Sequence, residues 1–320
     1  MIKFVQTLLS GVSVGSLYAL IALGYTMVYG TLKFINFAHA SIFMLGAWFS
    51  AMVATALLAN GVTGVPAIML SILIVMVICS TLGFIIERLA YRPLRDAPRL
   101  NVLITAIGVA LLIENVAALN EVNLFRTGWK FHGFGTQPGR MPDLLSNPLL
   151  FSIPIGTESV RVETVDALVL GLSISLMLAL QFIVFRTKLG AGMRAASHDA
   201  RTAALMGVPV DRTISITFVI GTSLAAAAGF LYVMKYPSIN PPVAVTWALL
   251  GLKAFVAAVV GGIGNVRGAV VGGLLIGLLE LYGAAYLSPH YRDVYVFALL
   301  IIVLLVRPTG IFGSTAVEKV

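Results

Sequence analysis

The sequence predicts an all-α protein that crosses a membrane about eight or nine times, because its apolar residues fall into blocks of about twenty, the length a helix needs to span a bilayer. Hydrophobic residues make up 59% of the 320 positions and charged residues only 11%, against roughly 25% in soluble domains. The basic residues lie in short segments between the apolar blocks, where positive charge sets the orientation of a membrane protein.

A single membrane domain over residues 1–320 is predicted, and the charged segments give its orientation. Arginines crowd residues 88–99 and 186–212, and Arg307 follows the final apolar block, so these segments are predicted to be cytoplasmic. Nine crossings then place the N-terminus outside and the C-terminus inside. The second block begins with polar residues, which also allows a broken or re-entrant segment; the N-terminus then lies inside.

Two longer connections separate the blocks. Residues 121–164 are rich in Gly and Pro with balanced charges, which predicts an extracytoplasmic loop with extended structure near Val160–Val162. Residues 187–213 are basic and predict a cytoplasmic loop, in which Gly190 and Gly192 are expected to stop the preceding helix.

The cytoplasmic loop is predicted to contain a short isolated helix. Ser197 or Asp199 can cap its start, because their side-chain oxygens accept hydrogen bonds from free backbone N–H groups. The helix runs to about Met206 and ends at Gly207, with Pro209 just beyond. A capped helix in a basic loop suits docking to a soluble partner, although a helix lying on the membrane surface fits the same pattern.

The motifs of energy coupling and catalysis are absent from the sequence. It has no Walker-type phosphate loop, no His-Glu-x-x-His zinc pattern and no Cys-x-x-Cys pair. The chain is therefore predicted not to be an enzyme, with no catalytic residue, metal or cofactor of its own. The net charge of +8 is spread over loops, so a nucleic-acid partner is not expected, and the lipid bilayer is the expected surrounding.

Polar residues inside the spans are the candidates for a solute path, since polar groups are costly in hydrocarbon. These candidates are Asn36, His39 and Ser41 at the second block, Glu114 in the fourth, and Ser238 and Asn240 after the sixth. Pro241 and Pro242 predict a helix break there. Asn36 and Asn240 each follow an Ile, which suggests a possible inverted repeat; coincidence explains the similarity equally well.

Two further charges, Lys253 and Glu280, lie at similar depth on successive antiparallel spans. An ion pair between them is one interpretation, and snorkelling to the outer interface is the other. Glu114 supports the main rival function, because an intramembrane carboxylate can relay protons in an ion-coupled secondary transporter.

Glycines recur at four-residue spacing, which lets two helices approach closely in lipid. Close packing is one interpretation of the cluster Gly261, Gly262, Gly264 and Gly268. A helix break near a moving gate is the other.

Five segments resemble the LivH-type subunit of branched-chain amino acid ABC permeases, and they are spread along the chain nearly end to end. They are A-L-I-A-L-G-Y-T-M-V-Y-G with F-I-N-F-A-H-A at 19–40, A-Y-R-P-L-R at 90–95, G-A-G-M-R-A-A-S-H-D-A-R-T-A-A-L-M-G-V-P-V-D-R in the cytoplasmic loop, K-A-F-V-A-A-V-V-G-G-I-G-N-V-R-G-A at 253–269, and R-P-T-G-I-F-G at 307–313. The resemblance implies a type II importer-like fold and import of branched-chain or related amino acids across the bacterial inner membrane. Urea and short-chain amide permeases share much of the pattern and stay open as an alternative.

The resemblance also implies partners. They are a paired LivM-type permease subunit, two cytoplasmic ATPase subunits of LivG and LivF type that bind ATP and Mg, and a periplasmic solute-binding protein. In the family the loop helix couples to the ATPase, which implies contacts at Arg194, His198, Asp199, Arg201, Leu205, Met206 and Gly207. The family pattern has an uncharged amide where this chain has Glu114, so the resemblance does not explain that residue.

Overall fold

The computed structural model describes residues 2–95, 97–120, 122–124, 129–131, 133–145, 149–155 and 158–313. Within these ranges the chain is mainly helical. The helices are α1 (Ile2–Leu32), α2 (Ala38–Ala59), α3 (Gly64–Ile86), α4 (Arg99–Ala117), α5 (Thr164–Arg186), α6 (Lys188–His198), α7 (Ala200–Leu205), α8 (Val210–Lys235), α9 (Val245–Gly261), α10 (Val266–Tyr286) and α11 (Arg292–Val306). A π-helical turn at Glu87–Tyr91 and a 3₁₀ turn at Arg92–Leu94 follow α3, and a second 3₁₀ turn at Pro289–Tyr291 precedes α11.

Short antiparallel ladders connect some of these helices. They pair β1 (Val122–Leu124) with β2 (Trp129–Phe131), β3 (Gly139–Arg140) with β6 (Ser238–Ile239), and β4 (Leu149–Ile155) with β5 (Glu158–Glu163). β5 contains the extended segment that the sequence predicts near Val160–Val162.

The prediction of eight or nine membrane helices is confirmed. Among the described residues, 8 helices are long and apolar enough to cross a membrane, and the apolar helix α9 is slightly shorter. α2 is one continuous helix of 22 residues, about 33 Å at the usual rise, which favours a full crossing over a re-entrant segment. The break lies before α2, where Lys33 turns the chain with φ +56°.

The chain divides into two compact units, each assembled from separate segments. Unit 1 comprises Met1–Lys33, Asn147–Thr217 and Lys253–Val320, and unit 2 comprises Phe34–Ser146 and Phe218–Leu252. The chain passes from one unit to the other four times: after Lys33, after Ser146, within α8 and within α9.

Small residues bring the helices of unit 1 into backbone contact. A Cβ added at Gly277 would lie 2.3 Å from Gly15 Cα, and one at Gly273 would lie 2.4 Å from the Ala19 nitrogen. α1 and α10 therefore pack along a seam of glycines and alanine, as four-residue spacing predicts for helices in lipid.

In unit 2, small residues likewise bring α2 and α8 into backbone contact. A Cβ at Gly46 would lie 2.7 Å from Ala226 Cα, and one at Gly229 would lie 2.7 Å from the Ala47 nitrogen. This close contact fixes α2, which carries two of the predicted path residues, His39 and Ser41, against the central part of α8.

The expectation that Gly190 and Gly192 stop the preceding helix is wrong. α5 ends at Arg186, and Thr187 caps α6 by accepting a hydrogen bond from Gly190 N at 3.1 Å. A Cβ at Gly190 would lie 2.1 Å from the Val184 carbonyl oxygen. The glycine, in the first turn of α6, is therefore required for close packing against the end of α5, a role that local sequence does not distinguish from a helix stop.

Candidate functional site

Asn36 lies at the chain break before α2 and organises it. Its Oδ1 accepts hydrogen bonds from Ala38 N at 3.1 Å and from the Tyr91 hydroxyl at 2.6 Å. Both Asn36 and Tyr91 are buried. The side-chain oxygen therefore satisfies a free N–H at the start of α2 and joins α2 to the turn that follows α3.

A second polar contact connects α2 with α4. The Ser41 hydroxyl donates to Glu114 Oε1 at 2.9 Å, with Ser41 fully buried and Glu114 half-buried. His39 is also fully buried in the first turn of α2. The contact orients a carboxylate within an apolar span, where it can accept hydrogen bonds from a cationic group.

The break after α8 has its carbonyls satisfied by two tryptophans. The Asn240 carbonyl accepts from the indole N–H of Trp48 at 3.1 Å and of Trp247 at 3.2 Å, and the Pro241 carbonyl accepts from Trp247 at 2.9 Å. Ser238 is exposed and pairs with Arg140 between β3 and β6. α8 already ends at Lys235, so the double proline lies in the connection to α9 and does not itself break the helix. Protein donors meet the carbonyls of this connection.

The structure does not bring Asn36 and Asn240 together. Asn36 caps the start of α2, whereas Asn240 contacts Trp48, ten residues into the helix. That interval corresponds to about 15 Å of helical rise. The two breaks therefore lie at different levels along α2 within unit 2.

Lys253 and Glu280 form an ion pair in unit 1, as the first of the two interpretations expects. Lys253 Nζ lies 3.0 Å from Glu280 Oε1, and both side chains are largely buried. Asp293 Oδ1 lies 2.6 Å from the same ammonium group, and Arg292 Nε lies 3.8 Å from Glu280. The Tyr18 hydroxyl donates to Glu280 Oε2 at 2.8 Å.

This charge cluster (Tyr18, Lys253, Glu280, Arg292 and Asp293) has no net formal charge and connects α1, α9, α10 and α11. Hydrogen bonds and opposite charges offset the cost of removing the two buried charges from water. The pairing of Lys253 and Glu280 was accessible from sequence because both are charges inside apolar blocks. Asp293 lies in the first turn of α11, where an acidic residue is unremarkable, and Tyr18 carries no charge.

The glycine cluster forms the turn between α9 and α10. Gly262 and Gly264 have φ values of +106° and +92°, which L side chains rarely adopt. A Cβ at Gly261 would lie 2.0 Å from the Gly268 carbonyl oxygen. A helix break and close packing therefore both occur in this one turn, while the moving gate stays a prediction.

The C-terminal segment 307–313 is attached to that turn. Ile311 N donates to the Val260 carbonyl at 2.9 Å, and Phe312 N donates to the Gly261 carbonyl at 3.0 Å. Asn265 caps α10 and donates from Nδ2 to the Phe312 carbonyl at 3.0 Å. The R-P-T-G-I-F-G motif thus satisfies carbonyls at the end of α9 that lack helical partners.

The short helix predicted within residues 187–213 is α7, and its cap is Asp199. Asp199 Oδ1 accepts from Arg201 N at 2.9 Å and Thr202 N at 3.2 Å. Hydrogen bonds from the Thr202 hydroxyl and from these backbone groups hold the pKa of Asp199 below its ordinary value. Gly207, with φ +84°, ends the helix.

The surface of this loop is exposed and partly apolar. Leu205 is 88% exposed and Met206 is 80% exposed, and His198 and Arg201 lie on the same exposed stretch. Arg194 is directed elsewhere, because its guanidinium donates to the Val184 carbonyl and lies over the Phe185 ring. Sequence patterns did not indicate Phe185.

Among the described residues, the structure contains no group of three His, Cys, Asp or Glu side chains that could hold a metal ion. The long apolar helices define a multi-pass membrane protein. The family model for the permease component of branched-chain amino acid transport systems matches residues 7–304.

Two bacterial relatives match along nearly the whole chain. The permease LivH of the high-affinity branched-chain amino acid transport system of Escherichia coli (strain K12) is 41% identical over 99% of this chain and 98% of its own length. The corresponding permease BraD of Pseudomonas aeruginosa is 40% identical over 99% and 98%. The chain therefore belongs to the family of permease components of branched-chain amino acid transport systems.

The family membership defines the chain as a permease subunit of an ABC transport system and not an enzyme, acting with other components of that system. Among solved structures, PsaBC from Streptococcus pneumoniae in complex with Fab matches with a TM-score of 0.40 and 13% identity, covering 97% of this chain and 92% of that one.

Proposed function

We propose that this chain moves leucine, isoleucine and valine into the cytoplasm as the permease subunit of an ATP-driven importer in the bacterial inner membrane. The end-to-end identity of 41% to a branched-chain amino acid permease carries the proposal. The orientation has the N-terminus outside and the C-terminus inside, which follows from nine crossings and the basic segments.

The proposed partners supply what this chain lacks. A LivM-type permease completes the membrane core, and LivG- and LivF-type ATPases bind ATP and Mg in the cytoplasm. A periplasmic solute-binding protein delivers the amino acid. The absence of a phosphate-binding loop from the sequence supports an energy source on a partner subunit.

The surface we assign to the ATPase contact is the exposed part of the cytoplasmic loop. Leu205 and Met206 supply apolar contact area, which is favoured at the centre of an interface. His198, Arg201 and Gly207 surround them, and Asp199 stabilises the helix that presents them. Arg194 acts within the chain, since its guanidinium contacts α5.

The solute path is assigned to the polar residues of unit 2. Glu114, oriented by Ser41, is the group suited to the ammonium end of an amino acid, and His39, Asn240 and Ser238 complete the path. Asn36 belongs to its framework, because its side-chain oxygen is used to hold the start of α2.

Competition during uptake tests the proposal. The chain is reconstituted in liposomes with its partners, and uptake of radiolabelled leucine is measured against excess isoleucine, valine, urea and acetamide. Isoleucine and valine should compete, while urea and acetamide should not. Competition by the amide and urea alone would assign the complex to the urea and short-chain amide class.

Inhibitors separate the proposal from an ion-coupled secondary transporter. Vanadate should stop uptake because it blocks ATP hydrolysis, and a protonophore should leave uptake unchanged. The reverse pattern would indicate a proton-coupled transporter, with Glu114 as the candidate relay, and would refute the ATP-driven mechanism.

A further inference from the structure

Two arginines contact one aromatic ring at the end of α5. The guanidinium carbon of Arg194 lies 5.7 Å from the ring centroid of Phe185, and that of Arg267 lies 5.4 Å from it. Arg194 belongs to α6 and Arg267 to the first turn of α10. A single ring therefore connects the helix that leads to α7 with the turn between α9 and α10.

Helix electrostatics do not explain the position of Arg267. The N-terminus of a helix carries partial positive charge, which disfavours a basic residue in the first turn. α10 has no acidic residue in that turn to compensate. The negative face of the Phe185 ring attracts the guanidinium, so the ring accounts for the position of this arginine.

Both arginines are held by more than the ring. Arg194 also donates to the Val184 carbonyl in the last turn of α5, where carbonyls lack helical partners. The backbone N–H of Arg267 donates to the Asn265 side chain at 3.0 Å, and Asn265 is bonded in turn to Phe312. The ring thus lies between α6, which is bonded to the end of α5, and the start of α10, which is bonded through Asn265 to Phe312.

We propose that Phe185 is a positioning residue that transmits displacement of the α6–α7 loop to the α9–α10 turn. The inference rests on the proposed function, in which α7 receives the movement of the ATPase. α10 extends from this turn to Glu280 of the charge cluster. A displacement of α6 and α7 therefore reaches α10, and with it the charge cluster, through the Phe185 contact.

The test measures leucine imported per ATP hydrolysed by the complete transporter in liposomes. Phe185→Leu keeps an apolar side chain and removes the aromatic face. An exposed cation–π contact changes an equilibrium constant by a factor of about two to five. The ratio of leucine imported to ATP hydrolysed should therefore fall about twofold to fivefold in Phe185→Leu. Phe185→Trp retains the face and should preserve the ratio.

A control on the same helix separates coupling from lipid contact. Phe182 is 63% exposed, one turn before Phe185, and Phe182→Leu should leave the ratio unchanged. An unchanged ratio in Phe185→Leu, or an equal loss in the Leu and Trp variants, would overturn the inference. Absence of ATP-dependent uptake by the unmodified complex would instead refute the proposed function.

A second variant covers the case in which Phe185→Leu does not assemble. Arg267→Gln removes one cation and leaves the ring in place, and it should lower the ratio to a similar extent. Where Phe185→Leu does assemble, adding it to Arg267→Gln should lower the ratio less than the product of the two single effects, since the residues share one contact. No fall in the ratio of assembled Arg267→Gln transporter would contradict the inference.

Discussion

Removing the ammonium group of Lys253 should destabilise the protein by about 3 kcal/mol, near the lower end of the range for a broken buried ion pair. The variant Lys253→Met keeps an unbranched apolar side chain but leaves Glu280, Asp293 and Arg292 with a net negative charge. The ammonium group lies 3.0 Å from Glu280 and 2.6 Å from Asp293. We expect the lower end because Asp293 is 49% exposed and Arg292 lies 3.8 Å from Glu280.

A double variant distinguishes charge imbalance from lost packing. Lys253→Met with Glu280→Leu leaves one acidic and one basic group, so neutrality is restored, and the cost should be about 1–2 kcal/mol below the sum of the two single variants. The free energy of unfolding is measured by SDS titration of the protein in detergent micelles, followed by circular dichroism. Lys188→Met, at an exposed position, is the control and should change it by less than about 0.5 kcal/mol. Additive costs in the double variant would refute a cluster stabilised by mutual compensation.

Three further changes have defined outcomes. Gly277→Ala should cost about 1–3 kcal/mol by forcing α1 and α10 apart, because the added Cβ would lie 2.3 Å from Gly15 Cα; Gly171→Ala, which has open space, is its control in the same unfolding titration. Glu114→Leu should reduce leucine uptake while leaving assembly measured by size-exclusion chromatography intact, and unchanged uptake would remove this residue from the solute path. Capping hydrogen bonds lower the pKa of Asp199, so its contribution to the stability of α7 is present above the ordinary Asp pKa and is lost as pH falls through the lowered value. The protection of α7 amides from hydrogen exchange should therefore fall on acidification. The Asp199→Ala variant lacks the carboxylate and should show no such step.

The membrane helices were predictable because each depends on local composition. An apolar block of about twenty residues bounded by charge or by Gly and Pro specifies a span without reference to the rest of the chain. The cap at Asp199 and the stop at Gly207 are local in the same sense, since a short polar side chain and a left-handed glycine act within a few residues. The division into two units is not local: two of its four boundaries fall inside α8 and α9, where the hydrophobic pattern does not change.

The polar contacts were predictable only where two signals coincide. Lys253 and Glu280 were paired because both are charged and lie at equal depth, whereas Tyr18, Asp293 and Phe185 carry no unusual local pattern. The hydrogen bonds of Trp48 and Trp247 could have been predicted. A buried indole N–H requires an acceptor, and the connection at the double proline offers carbonyls without helical partners. Glycine spacing predicted close packing correctly, but it did not show that Gly190 lies within α6 and packs against the end of α5.

Leucine uptake by liposomes that contain this chain with and without its ATPase partners tests the central claim most directly. With both ATPases, the second permease and the binding protein present, addition of ATP on the ATPase side should produce leucine accumulation on that side. Replacement of the phosphate-loop lysine in the ATPases should abolish accumulation while the complex still assembles. Leucine accumulation by this chain alone, in the absence of ATPase and ATP, would contradict the account.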